Sequence, residues 1–192
     1  SALAANGDAA MAMLVTHISA SAGAVTWMFY EWKKFGKPTA LGSVTGLVAG
    51  LGTITPASGF VGPAGALVIG VVAGAVCFNA VLIIKRKLKI DDSLDVFPVH
   101  GVGGIIGTLM AAIFASSQLG IFSGDGLAEG MTISSQLKVQ AIGVVSTALY
   151  TALATYIILK FVGVVTGGLR VSPEDESEGL DISSHEERGY VL

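Results

Sequence analysis

The sequence predicts an all-α integral membrane protein with five transmembrane helices, on three observations. Hydrophobic residues make up 52% of the chain and charged residues only 13%, against the roughly 25% charged that soluble domains carry. The mean hydropathy is +0.73. Five stretches, residues 9–30, 39–57, 63–84, 96–115 and 136–161, are each apolar and close to the ~20 residues that cross a hydrocarbon core about 30 Å thick. Polar or Gly/Pro-rich connections at 31–38, 58–62, 85–95 and 116–135 separate them, and a tail follows.

The first span carries His17, read as a structural residue because no second titratable group accompanies it. The second and third carry glycines at four-residue spacing, Gly42-x3-Gly46-x3-Gly50 and Gly70-x3-Gly74. Such small-residue stripes let helix backbones approach closely, and packing is their expected role. Pro56 and Pro63 flank the Gly-rich connection between these spans, where helices should end or kink. The lone Cys77 lies in the third span, so it forms no internal disulfide and chemistry based on paired cysteines is excluded.

The fourth span holds the most informative residue, His100. From Val96 to Ala115 the only other polar side chain is Thr108. An ionisable group at bilayer depth is costly and faces a cavity or a protein interior, which marks an ion or proton path. A helix starting near Asp91 or Asp92 would carry His100 roughly 13 Å further in, at ~1.5 Å per residue. Its face of that helix holds Val96, Phe97, Gly103 and Gly104, and no carboxylate.

After the fifth span, from Gly167, seven carboxylates crowd a polar segment ending in Gly189-Tyr-Val-Leu192. The domain expectation is a membrane portion, 1–166, followed by a tail, 167–192; by composition alone that tail is solvated and disordered. Ten of the eleven Lys and Arg residues fall on one side of the five spans, Lys138 being the exception. The positive-inside rule makes that side cytoplasmic and puts the tail there too. A net charge of −3 with no basic stripe argues against nucleic acid as a partner. No metal-ligand cluster, nucleophile elbow or paired carboxylates accompanies His100, so the chain is not expected to be an enzyme or to bind a metal or cofactor. It opens on Ser1-Ala-Leu with no initiator Met and no signal peptide, as if cut from something longer.

Several runs closely resemble the ammonium transporter (Amt/Mep/Rh) family: Asp91-Asp-x-x-Asp-Val-Phe-x-Val-His100-Gly-Val-Gly-Gly-Ile, Thr55-Pro-Ala-x-Gly, Gly36-Lys-Pro and Asp125-Gly-x-Ala-Glu-Gly-Met. The tail adds Gly168-Leu-Arg-Val-x-x-Glu-x-Glu-x-Glu-Gly-Leu-Asp-x-x-x-His185-Glu. The resemblance covers the whole chain, and the run ending at His100 is its most specific part. It implies a homotrimer of eleven-span subunits built from two inverted five-helix halves plus one long helix, each subunit with its own pore. This chain would supply spans seven to eleven and the tail, with the N-terminal half of the same transporter missing. The implied setting is multi-pass in the cell membrane, with the C-terminus cytoplasmic, in agreement with the charge bias.

By the same resemblance His100 matches the second of two histidines that touch near the midplane and relay a proton. Val96 and Phe97 would line the pore, and Thr55 matches a threonine near it. Ser1 matches the serine of the outer ammonium-recruitment site. In the tail, Gly168, Arg170, Gly179, Asp181 and His185 match an ordered regulatory segment, docked under the cytoplasmic face, where a PII-type signalling protein binds. The implied substrate is ammonium, stripped of a proton and passed as ammonia. The alternative is an ammonium sensor of the same family. About 25 residues follow the last span, short for a sensory output domain.

Overall fold

A computed structural model describes residues 4–187 and 189. Ser1 lies outside the described residues. The chain folds as two compact units, Ser1–Val144 and Val145–Leu192, and no strand occurs among the described residues.

Each expected span corresponds to a helical segment. α1 is Gly7–Phe35 and α2 is Ala40–Ile54. α3 is Pro63–Val81, prolonged by a π-helical turn over Leu82–Lys87. A second π turn, Phe97–Gly101, leads into α4, Val102–Phe114. α5 is Ile133–Thr166. Four of these segments, Gly7–Phe35, Pro63–Lys87, Phe97–Phe114 and Ile133–Thr166, are long and apolar enough to cross a membrane. α2, at 15 residues, falls short of that length.

Local chemistry sets the boundaries. The Asn6 side chain caps α1 by accepting from the Ala9 amide at 3.1 Å. Gly36 ends α1 in the left-handed region at φ 83°, its amide donating to the Trp32 carbonyl, which a residue without Cβ does at little cost. Thr39 caps α2 through the Gly42 amide, and the Glu31 carboxylate accepts from the Thr39 amide at 2.8 Å, tying the end of α1 to the start of α2. α2 stops at Ile54, just before Pro56, and Pro63 is the first residue of α3, where its missing N–H is no loss.

In the first unit the two glycine stripes both face α1. Gly46 and Gly74 lie so close to α1 that a Cβ on either would come within 2.8 Å of the Gly23 carbonyl oxygen. Gly50 and Gly70 press on the backbone of Ser19 in the same way. Ser19, fully buried, donates to the Gly50 carbonyl at 2.9 Å, a bond between helices that needs this proximity. Around these contacts lie two apolar clusters. One gathers Val15, Ile54, Ala57, Ile69 and Ala111; the other gathers Trp27, Ala49, Cys77, Phe78 and Val99. Trp27 meets Phe78 edge to face, with centroids 5.3 Å apart, an arrangement favoured by the ring quadrupoles.

In the second unit, the part of α5 from Val145 is followed by two short helices, α6 (Pro173–Glu178) and α7 (Leu180–His185). The tail thus holds helical turns where its composition alone indicated disorder. Ser172 caps α6 by accepting from the Asp175 amide at 3.1 Å. Pro173 opens the helix, and three carboxylates occupy its first turn, favourable at the positive end of a helix dipole.

Replacing Gly74 by Leu should push α1 and α3 apart and lower stability by about 1–3 kcal/mol or more. Thermal denaturation of the detergent-solubilised protein checks this; an unchanged midpoint would mean the stripe is not a tight contact.

Candidate functional site

His100 sits in a helical turn whose shape its upstream neighbours dictate. After α3 the chain doubles back, with the Leu88 amide donating to the Ile83 carbonyl and the Ile90 amide to the Ile84 carbonyl. Asp95 takes φ 55°, a left-handed conformation that Asp and Asn tolerate better than most side chains. The Asp92 carboxylate then accepts from the amides of Val96 and Phe97, each at 2.9 Å, satisfying two of the donors that a helix start leaves free. Pro98 has no N–H to place. The Val102 amide reaches back five residues to the Phe97 carbonyl, which closes a π turn rather than an α turn.

These contacts correct two sequence expectations. The helix begins around Val96 rather than near Asp91 or Asp92, so His100 lies only about 6 Å along it at ~1.5 Å per residue, not roughly 13 Å. The π turn also changes the angular relation between the residues before Gly101 and those after it. Gly103 accordingly does not share the face of His100. It is buried, and a Cβ on it would meet Thr53 Oγ1 at 2.8 Å and Cys77 Sγ at 3.5 Å.

The turn has two contrasting sides. Pro98 and Val99 point inward, and Val99 joins the cluster of Trp27, Cys77 and Phe78. Val96, Phe97 and His100 are exposed on the chain, Val96 at 51% and Phe97 at 59%. The ring of Phe97 lies against Gly101, where a Cβ would come within 2.9 Å of Cδ2. The imidazole stands beside α2: a Cβ on Gly52 would lie 3.7 Å from His100 Nδ1. Thr55, also exposed, is three residues beyond Gly52 on the same side of α2, its hydroxyl donating to the Leu51 carbonyl at 2.7 Å. Val96, Phe97 and His100 are thus each exposed, and of the three it is His100 that stands beside Gly52. Thr55 is one helical turn from that glycine. His17 is exposed on α1.

The tail residues occupy turns and helix ends of the second unit. Gly168 and Gly179 have φ of 152° and 98°. Arg170 lies 3.8 Å from Glu176 across an exposed pair. The Asp181 carbonyl accepts from the Glu187 amide at 2.9 Å, and His185 is the last residue of α7. Among the described residues no group of three or more His, Cys, Asp or Glu is placed to hold a metal ion.

Sequence reasoning missed Gly52 as the neighbour of the imidazole, the capping role of Asp92 and the π turn. Pro98 and the Asp92-x3-Val96 spacing were the available signals for a helix starting late. Nothing in the sequence marks Gly52 apart from other glycines.

Comparison with known proteins gives the site its context. The model of the Ammonium Transporter Family matches residues 1–190. A putative ammonium transporter of Methanothermobacter thermautotrophicus is 48% identical over 197 residues, covering 100% of this chain and 47% of the relative. The ammonium transporter Amt1 of Archaeoglobus fulgidus is 45% identical, with 100% and 47% covered. Among solved structures, a sensor Amt protein superposes with a TM-score of 0.82 at 32% identity, over 94% of this chain and 43% of that one. Mep2 of Saccharomyces cerevisiae does so at 0.77 and 36%, over 88% and 39%. The chain spans a little under half the length of the relatives it matches, and it belongs to the ammonium transporter family.

Proposed function

We propose that this chain is the C-terminal half of an ammonium transporter, spans seven to eleven of an eleven-span inverted-repeat subunit in a homotrimer. Residues 1–166 form its multi-pass membrane portion and 167–192 a cytoplasmic tail. The observation that carries the reading is the exposure of Val96, Phe97 and His100 within one short stretch, on a chain matched end to end by relatives about twice its length. An ionisable ring with large apolar neighbours suits a surface covered by another half of the same protein rather than by lipid.

In this reading ammonium is recruited at an outer site that includes Ser1, loses a proton, and crosses as ammonia through a bore lined by Val96, Phe97 and Thr55. A hydroxyl accepts from an ammonium N–H, and aromatic faces of the other half add cation–π attraction of about 0.5–2 kcal/mol. A bare cation entering an apolar bore would lose its hydration at a cost of several kcal/mol, which favours the neutral species. Histidine gains and loses a proton near neutral pH at modest cost, so His100 and a histidine of the other half pass the proton along a shared hydrogen bond. Potassium has no proton to give up and is excluded by the same parts. No cofactor, metal or enzymatic step enters.

A second reading, an ammonium sensor, draws on the likeness to the sensor Amt protein. Uptake of radiolabelled methylammonium by the complete protein separates the two. Saturable uptake supports transport, and binding without uptake would replace it with sensing. Replacing His100 by Asp should weaken selectivity against potassium, because a fixed anion in the bore stabilises any bare cation. Unchanged potassium exclusion together with unchanged ammonium current would remove His100 from the relay.

The tail, with Gly168, Arg170, Gly179, Asp181 and His185, is proposed as a regulatory segment docked on the cytoplasmic face, where a PII-type protein blocks the exits. By the charge bias of the spans its seven carboxylates would share the cytoplasmic side with the Lys and Arg of the first and third connections, where several pairs worth ~0–1 kcal/mol each would together bias docking. Deleting residues 172–192 should change transport or its inhibition by PII. Both remaining as in the parent protein would rule the role out.

A further inference from the structure

The two π turns of the first unit are tied to each other. Lys85, in the turn Leu82–Lys87, places Nζ 3.0 Å from Oδ1 of Asp95, the residue at φ 55° from which the chain enters the turn carrying His100. The Asp95 side chain is only 20% exposed and that of Lys85 37%, so solvent and salt screen the pair less than one at the open surface. Both line a cavity of about 420 Å³ that also takes in Glu31, Arg86, Trp27 and Phe78. Glu31 is engaged by Thr39, and Arg86 stacks over Phe35 at 5.1 Å.

The connection before Asp95 supplies little buried support for this geometry. Ile90 and Leu94 are 52% and 85% exposed, and the segment 88–94 has no fully buried residue. Packing of Pro98 and Val99 anchors one side of the π turn. Asp92 caps its first amides from within the same exposed connection. The ion pair adds a hold on α3 at the point where the chain changes hand, five residues before His100.

We propose that the Lys85–Asp95 ion pair fixes the position of the His100 imidazole by holding the entry of its π turn against α3, making both positioning residues for the proton path. The transport consequence rests on the reading of His100 given above; the position of the ring does not. A charge at 85 and a carboxylate at 95 are required. The backbone at 95 alone is not enough, and neither is apolar packing beneath the turn.

The test uses the complete transporter labelled with 15N-histidine, its His100 signals assigned by their loss in His100→Ala. Lys85→Met keeps side-chain length and removes the charge, whereas Lys85→Arg keeps the charge. Asp95→Asn removes the charge but retains tolerance of a left-handed backbone, so it stays informative if Lys85→Met fails to fold. Lys87→Met, in the same π turn, is the control. The His100 signals should shift in Lys85→Met and Asp95→Asn and stay in place in Lys85→Arg and Lys87→Met. Methylammonium uptake per folded trimer should fall roughly tenfold in the first two, as expected when a reacting group is misplaced, and be restored by Lys85→Arg. Unshifted signals in folded Lys85→Met and Asp95→Asn would overturn the proposal, as would Lys85→Arg behaving like Lys85→Met. Shifted signals with uptake unaffected even in His100→Ala would leave the positioning role standing and remove His100 from transport.

Discussion

Close approach of three backbones underlies the first unit. α1 meets α2 and α3 through glycines at which any side chain would collide with main-chain atoms, and the buried bond from Ser19 to the Gly50 carbonyl forms at that distance. Once the three helices are drawn together, the aromatic cluster of Trp27 and Phe78 closes beneath them. Val99 then packs against that cluster, and Gly52 comes to stand beside the imidazole. In a chain whose outer faces meet lipid or another apolar surface, burial from water contributes little to such association, and short-range packing carries more of it.

Much of this was legible in the sequence because it depends on composition and spacing. Five apolar stretches became five helical segments within a few residues of their expected ends, since Pro56, Pro63 and Gly36 stop or start helices for local steric reasons. The four-residue glycine spacing identified a contact face, though not that both stripes would share α1. Less legible were features set by hydrogen bonds reaching past the next turn. Asp92 read as a point near which the helix starts, and it is a cap four residues ahead of that start. The π turn depends on which carbonyl the Val102 amide finds, and hydrophobic periodicity does not encode that choice. Gly52 matters through its neighbour across the helix contact, which only the fold shows.

The site and the surface of the chain pose one physical problem. Val96, Phe97 and His100 leave two large apolar side chains and an imidazole exposed within five residues of one another, an arrangement too apolar for water and too polar for lipid. A second protein surface resolves the conflict. In the function proposed above that surface is the other half of the transporter, and the relatives carry about as much chain again as is present here.

The π turns also make the number of residues part of the site. A turn that closes on the fifth residue holds one more than an α turn in nearly the same rise. Loss of any one residue between 97 and 101 would leave an unbroken α-helix, with its apolar character intact. The segments on either side would keep nearly their present angular relation, because an α turn closes about the same angle with one residue fewer. Insertions and deletions are usually tolerated in connections and damaging in helices because they break pairing. Here a deletion spares the helix and both its ends but redirects the side chains within the turn, so length variation within 97–101 falls on the direction of His100 rather than on the helix that carries it.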